Sequence, residues 1–110
     1  MRSDELRAEK IQECIASIVD YTSQGEKYFL SDKKTQDAVL RNIQVIGDAI
    51  KELSEEFKKQ HVHVDWSGWA RFRDKITHDY FGVDFGTLWR TLQEDLPRLK
   101  QAIEEIIPQD

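Results

Sequence analysis

Residues 39–57, VLRNIQVIGDAIKELSEEF, carry the clearest structural signal in the sequence. Their apolar positions advance by four, three, four, three and four residues, the spacing of one face of an α-helix. The members of this apolar stripe are Val39, Ile43, Ile46, Ile50, Leu53 and Phe57. The pattern predicts one amphipathic helix of about five turns, capped at its start by Ser31 or Asp32 and fraying near residues 58–60.

A first helix is expected before this one, over residues 4–24. Ser3 is placed to act as its N-cap, and Gly25 is placed to end it. Its apolar face is formed by Leu6, Ile11, Ile15, Ile18 and Thr22. Residues 27–30 are then expected to form a short connection to the next helix.

Three further helices are predicted after a loop at residues 61–64. Asp65 is placed to cap a helix that Gly82 breaks, and Asp84 is placed to cap the next one. Residues 95–97, Asp-Leu-Pro, mark the start of a last helix, because proline is tolerated in a first turn.

The fold class expected is therefore all-α, since no alternating strand pattern competes with these helices. The arrangement expected is an antiparallel four-helix bundle with a short additional C-terminal helix, which ends before Pro108. Residues 1–110 are expected to form a single helical domain, which is an ordinary domain size.

Composition narrows the function classes. The formal net charge is −5, so RNA could be contacted only through a local basic patch, because phosphate contacts favour a basic surface. Cys14 is the only cysteine, which excludes an internal disulfide and suggests a small core residue. We expect a cytoplasmic protein with no membrane span, because no apolar stretch approaches the length that a bilayer requires.

Residues 73–80, RDKITHDY, are the candidate functional motif. Arg73 supplies a permanent forked cation that suits phosphate oxygens. His78 can accept or donate a proton at cellular pH. These groups are what RNA cleavage without a metal requires: a base for the 2′-hydroxyl and a cation for the charge that develops on the phosphate. We therefore expect no cofactor and no metal.

Helix geometry limits what one copy of the motif can do. Asp74 and His78 are four residues apart and share a face, so the carboxylate is placed to orient the imidazole. Arg73 and His78 are five residues apart, about 140° around an ideal helix. Either the helix unwinds near His78 or two copies combine. We favour a homodimer in which each subunit contributes one motif to a shared cleft.

The spacing of Arg73, His78 and Tyr80 matches the R-x4-6-H-x-Y signature of the HEPN superfamily. The run RDKITHDYFGVD, then LW at residues 88–89 and EDLPRLKQAI at residues 94–103, resembles the HepT-like branch of toxin ribonucleases. The resemblance is close over residues 65–107, whereas the first two helices agree only in length and pattern.

This resemblance implies a homodimeric ribonuclease toxin of a type VII-like toxin–antitoxin system, acting on tRNA or mRNA. It also implies a partner, a minimal nucleotidyltransferase antitoxin that transfers AMP from ATP onto the motif tyrosine, here Tyr80. The catalytic residues would be Arg73 and His78. Asp74 would support them, and Arg71, which also lies within the permitted spacing, is a candidate RNA contact.

Two other interpretations stay open. The acidic charge is compatible with a non-catalytic helical module that binds RNA, a nucleotide or a nucleotidyltransferase. The motif could also belong to a purely structural dimerisation domain. His61 and His63 form an H-x-H pair, but two histidines with only Asp65 nearby fall short of a metal site.

Overall fold

The structure, a computed structural model, describes residues 2–107 and is built from helices. The elements are α1 Arg2–Tyr21, α2 Glu26–Ser31, α3 Lys33–Glu52, α4 Glu55–Gln60, α5 Trp66–His78, a 3₁₀ turn Tyr80–Gly82, α6 Phe85–Glu94 and α7 Leu96–Ile106. The all-α prediction is confirmed, and no strand occurs in the described range. The described residues form more helices than expected. The predicted connection at residues 27–30 lies in a short helix, and the predicted second helix is divided into α3 and α4.

Helix α3 lies at the centre of the fold. It packs against α1 on one side and α5 on the other. Helix α7 packs on α1, α6 packs on α7, and α2 contacts both α3 and α6. The predicted apolar stripe is buried along its whole length, so burial of this face is confirmed. A single core joins these elements, and α5 is held against its central helix.

The stripe does not form one continuous helix, so this part of the prediction is wrong. Leu53 and Ser54 are extended, with ψ 146° at each, and they separate α3 from α4. The Ser54 hydroxyl accepts a hydrogen bond from the Phe57 amide and so caps α4. The buried carboxylate of Asp4 accepts hydrogen bonds from the Ser54 amide at 2.9 Å and its hydroxyl at 2.7 Å. A contact with α1 therefore stabilises the break.

The predicted connection at residues 27–30 is also wrong, because it lies within α2. Phe29 is fully buried, and its ring packs edge-on against Phe85, with the ring centroids 6.0 Å apart. Trp89 lies on the same ring at 5.5 Å. This aromatic cluster attaches α2 to α6, which accounts for an ordered turn of helix in this short segment.

Helix α1 differs from the prediction at both ends. It includes Arg2, so Ser3 is not an N-cap, and it ends at Tyr21. Leu6 is 47% exposed and lies off the core, although the other apolar residues predicted for this face, Ile11, Ile15 and Ile18, are buried. Cys14 is buried among them, which confirms it as a core residue.

Helix α5 begins as predicted and ends early. The carboxylate of Asp65 accepts a hydrogen bond from the Gly68 amide at 3.0 Å, which confirms it as the N-cap. The helix was expected to continue to Gly82, but it ends at His78. Asp79, with φ −149° and ψ 62°, leaves the helical conformation, and the 3₁₀ turn follows. The second half of the candidate motif is therefore not one straight helix.

The last two helices follow the prediction. Asp84 caps α6 by accepting hydrogen bonds from the amides of Gly86 and Thr87. Only Asp95 separates α6 from α7, and Pro97 lies in the first turn of α7. Helix α7 ends at Ile106, while Pro108 lies outside the described residues. Among the helices described, none has the length and apolarity to cross a membrane.

Candidate active site

The site is built where α5 lies close against α3, at Gly47. A β-carbon placed on Gly47 of α3 would lie 2.3 Å from the Cβ of Arg73 and 2.8 Å from its Cγ. Real Cβ contacts are never this short, so only glycine lets the two helices come this close. The Cβ and Cγ of Arg73 therefore pack directly against the backbone of α3 at Gly47.

Arg73 is then fixed by two carboxylates. Its Nε donates to Asp48 Oδ1 at 2.5 Å, and its Nη1 donates to Asp74 Oδ1 at 3.2 Å. These hydrogen bonds, first with Asp48 and then with Asp74, raise the pKa of the guanidinium above its usual value. The side chain is 27% exposed, so the cation is anchored but still accessible from solvent.

Asp74 also receives a hydrogen bond from Lys51 of α3, at 2.6 Å. This contact, ahead of the one from Arg73, lowers the pKa of the Asp74 carboxyl. Asp74 thus joins two cations, Lys51 and Arg73, and in the described chain no hydrogen bond connects it to His78. The orientation of His78 by Asp74 stays a prediction.

Tyr80 contacts α3 through its hydroxyl, which donates a hydrogen bond to Asp37 Oδ1. Burial first, and then Asp37, raises the pKa of the Tyr80 phenol to about 12. The same hydrogen bond, followed by one from Lys33, lowers the pKa of Asp37. The Lys33 ammonium lies 3.2 Å from Asp37 Oδ2 and 6.0 Å from the centroid of the Tyr80 ring.

One polar face of α3 therefore contacts four residues of the motif, Arg73, Asp74, Thr77 and Tyr80. We call it the polar face of α3, and it consists of Asp37, Gln44, Asp48 and Lys51. Gln44 adds to the contacts above by donating to the Thr77 hydroxyl at 3.0 Å. Sequence reasoning missed these residues. Their spacing of seven, four and three residues is a helical signal beside the apolar stripe that could have identified them.

His78 lies apart from this network. It is the last residue of α5, its side chain is exposed, and the imidazole makes no hydrogen bond with another residue in the range 2–107. Its ring is free to meet a ligand. The structure thus brings Arg73 and Tyr80 to the polar face of α3 and leaves His78 at the surface.

Arg73 and Tyr80 are held at different levels of α3. Their partners Asp48 and Asp37 are eleven residues apart, about 16 Å along the axis at 1.5 Å per residue. The guanidinium and the phenol of one chain are thus separated by about three helical turns.

Arg71 occupies a different surface from Arg73. Its side chain is 72% exposed and lies 4.0 Å from Asp65. With Lys75 it lines a groove of about 340 Å³ between α5 and α6. Phe81, next to Tyr80, is 96% exposed.

Of the two histidines at residues 61 and 63, His61 has a structural role. The ring nitrogens of His61 contact the Phe57 carbonyl and the Glu105 carboxylate. Both nitrogens are therefore occupied by protein partners that tie α4 to α7. Across residues 2–107 no group of three or more candidate metal ligands is found.

A helical bundle that carries R-x4-H-x-Y at the end of one helix defines the class as a HEPN-type domain. Comparison with protein families matches residues 11–106 to the family described as "Ribonuclease HepT-like". The chain belongs to this HepT-like ribonuclease family.

Curated relatives agree with this family. The chain is 43% identical over 106 residues to the "Probable ribonuclease HepT" of Thermococcus cleftensis, covering 96% of both proteins. It is also 43% identical over 98 residues to a Methanocaldococcus jannaschii protein named as a proposed RNase, covering 88% of this chain and 81% of that protein. No solved structure gives a significant match.

Proposed function

We propose that this chain is a metal-independent endoribonuclease, the toxin of a type VII-like toxin–antitoxin pair, acting in the cytoplasm on tRNA or mRNA. The proposal depends on one observation: the same motif contains Arg73, which is anchored but accessible, and His78, whose side chain is exposed and makes no hydrogen bond with any residue that the structure describes. Family membership supports RNA as the substrate class.

In the proposed reaction, His78 removes the proton of a ribose 2′-hydroxyl. The 2′-oxygen then attacks the adjacent phosphorus, the bond from that phosphorus to the 5′-oxygen of the next nucleotide breaks, and the leaving oxygen takes up a proton from solvent. Arg73 stabilises the negative charge that develops on the phosphate oxygens, a role for which a cation held in place in advance is effective. The products are a 2′,3′-cyclic phosphate and a 5′-hydroxyl.

The arrangement of α5 favours a site shared between two copies. Arg73 faces α3, whereas His78 is exposed at the helix end, and ideal geometry places them about 140° apart. A two-fold pair of chains would allow the Arg73 of one copy and the His78 of the other to meet at one phosphate.

The supporting residues take different roles in this proposal. Asp74 holds both Arg73 and Lys51 through Oδ1, and Oδ2 would be the atom that orients His78. Arg73 rather than Arg71 is the motif arginine, since Arg73 packs on the same helix as Tyr80. Arg71, beside the groove between α5 and α6, would contact RNA away from the cut.

A minimal nucleotidyltransferase antitoxin would silence the enzyme by placing AMP on Tyr80. The added group is bulky and carries a negative phosphate. Because Tyr80 lies about three turns from Arg73 of the same chain, the nucleotide need not contact that arginine. It would instead block RNA at the exposed surface around His78, two residues earlier.

The chemistry can be tested with a purified RNA substrate. Cleavage should continue in EDTA and should stop when the 2′-hydroxyl at the cut is replaced by hydrogen. His78→Ala and Arg73→Ala should each reduce the rate by roughly 10² to 10⁴-fold. Loss of activity in EDTA would contradict metal independence, and full activity of both variants would contradict the assignment of the residues.

The net charge of −5 favours one alternative, a binding module that engages a nucleotidyltransferase without cutting RNA. Expression without the antitoxin separates the two. Growth arrest that depends on His78 supports the enzyme, and harmless expression of the intact chain supports the module.

A further inference from the structure

Lys33, Asp37 and Tyr80 form a cluster that RNA cleavage does not use. Two of its members lie four residues apart at the start of α3, and the third lies in the 3₁₀ turn after α5. Asp37 accepts hydrogen bonds from both neighbours, from Tyr80 at Oδ1 and from Lys33 at both carboxylate oxygens. A cation, a carboxylate and a phenol are thus joined at one point.

The cluster is open to a second macromolecule. The side chains of Lys33 and Asp37 are 76% and 45% exposed, and Tyr80 is only half-buried. The ion pair between Lys33 and Asp37 is exposed, and exposed ion pairs contribute little to the free energy of unfolding. A role in stability alone therefore does not account for the position of Lys33. The combination instead matches what a hydroxyl group needs to attack a phosphorus atom: a proton acceptor and a nearby cation.

We propose that this cluster is the nucleotide-acceptor site, in which Asp37 takes the hydroxyl proton of Tyr80 while Lys33 binds the phosphate being transferred. The inference rests on the proposed function in one respect, that Tyr80 receives AMP. In the reaction a bond forms between Tyr80 Oη and the α-phosphorus of ATP. The bond from that phosphorus to the bridging oxygen of the β-phosphate breaks, and pyrophosphate leaves. The proton passes to Asp37 and then to solvent.

The ionisation states agree with these roles. The pKa of Tyr80, about 12, keeps the phenol protonated at neutral pH, so its oxygen has to lose a proton as it attacks. The lowered pKa of Asp37 keeps that carboxylate ionised at neutral pH, so its oxygens carry no proton before the reaction, although the same shift makes it a weaker base than an ordinary carboxylate. The toxin thus supplies the base for its own modification, and the nucleotidyltransferase supplies the bound MgATP.

The test measures AMP addition by intact mass in single-turnover reactions of the chain with its nucleotidyltransferase and MgATP, from about pH 6 to 9. Asp37→Asn keeps the size of the side chain and an oxygen that can accept the Tyr80 hydrogen bond, but it cannot take the proton. The rate at neutral pH should fall by roughly 10² to 10⁴-fold. The remaining rate should rise with pH, because phenolate must then form in solution.

Three further variants separate chemistry from structure. Asp37→Glu should restore part of the rate, because it restores a carboxylate. Lys33→Gln should raise the KM for MgATP more than it lowers kcat. Glu56→Gln, a change at an exposed carboxylate of α4, should behave as the parent chain does.

Two results would overturn the inference. If Asp37→Asn is modified at the parental rate with the parental pH profile, while Tyr80→Phe is not modified, then Tyr80 is the acceptor and Asp37 is not its base. If the parent chain gains no AMP at Tyr80, both this inference and the proposed silencing are wrong, whereas RNA cleavage is judged by its own assay.

Discussion

Gly47 and Arg73 meet backbone to side chain at the crossing of α3 and α5, where a methyl group on Gly47 would lie 2.3 Å from the Arg73 β-carbon. This contact sets how closely the motif helix approaches the polar face of α3. The reach of Arg73 to Asp48 depends on it.

Gly47→Ala should therefore force α5 away from α3. We expect a loss of about 1 to 3 kcal/mol in the free energy of unfolding, the usual cost of overpacking, and a weaker RNase. Urea unfolding and RNA cleavage measure the two effects. Gly86→Ala is the matched control, since a β-carbon there meets only Asp84 Oδ1 at an ordinary 3.4 Å. Equal behaviour of the two alanine variants would show that the crossing tolerates a methyl group.

Asp48→Asn should loosen Arg73 without removing its charge. The guanidinium would keep its hydrogen bond with Asp74, and the new amide oxygen could still accept from Nε, but that hydrogen bond would no longer be to a charged carboxylate. Because these groups are partly exposed, we expect cleavage to fall by only a few-fold to about tenfold, mainly in kcat. Steady-state kinetics check this. An increase in activity would show instead that Asp48 restrains an arginine that RNA has to release.

Because of Tyr80, the free energy of unfolding should fall as the pH rises through the alkaline range. Its pKa is raised in the folded chain to about 12, from an ordinary value near 10. A raised folded pKa contributes stability that is fully present below about pH 10 and lost as the pH rises through about 12. The parent chain should thus lose more stability across this interval than Tyr80→Phe does. Urea unfolding at pH 9 to 12, about the range of the titration, measures it, with Tyr21→Phe as the control. Identical curves for the parent and Tyr80→Phe would contradict the burial of the Tyr80 phenol and its contact with Asp37.

The fold was predictable from the sequence where the signal was local. The burial of the apolar stripe and the aspartate caps at Asp65 and Asp84 all hold in the structure. The break after Leu53 was not predictable in this way, because Ser54 is fixed by Asp4, fifty residues earlier in the chain. A periodic pattern cannot reveal a partner at that distance.

In the candidate site, too, the local features could be predicted from the sequence and the long-range contacts could not. Arg73 and His78 could be chosen from residue chemistry, and Tyr80 from the match to the R-x4-6-H-x-Y signature, since all three lie within one short segment. Their partners Asp37 and Asp48 could not, because they meet the motif only once α3 and α5 are packed in register. That register depends on a glycine whose role is visible only when the two helices are in contact.

The most direct measurement of the central claim is complementation between two inactive variants. Arg73→Ala and His78→Ala are purified separately, mixed, allowed to exchange subunits and assayed for RNA cleavage. If Arg73 of one copy and His78 of the other act on one phosphate, each mixed dimer regains one intact site. A 1:1 mixture should then recover roughly one quarter of the parental activity. A mixture no more active than either variant alone, although mixed dimers form, would contradict the shared site.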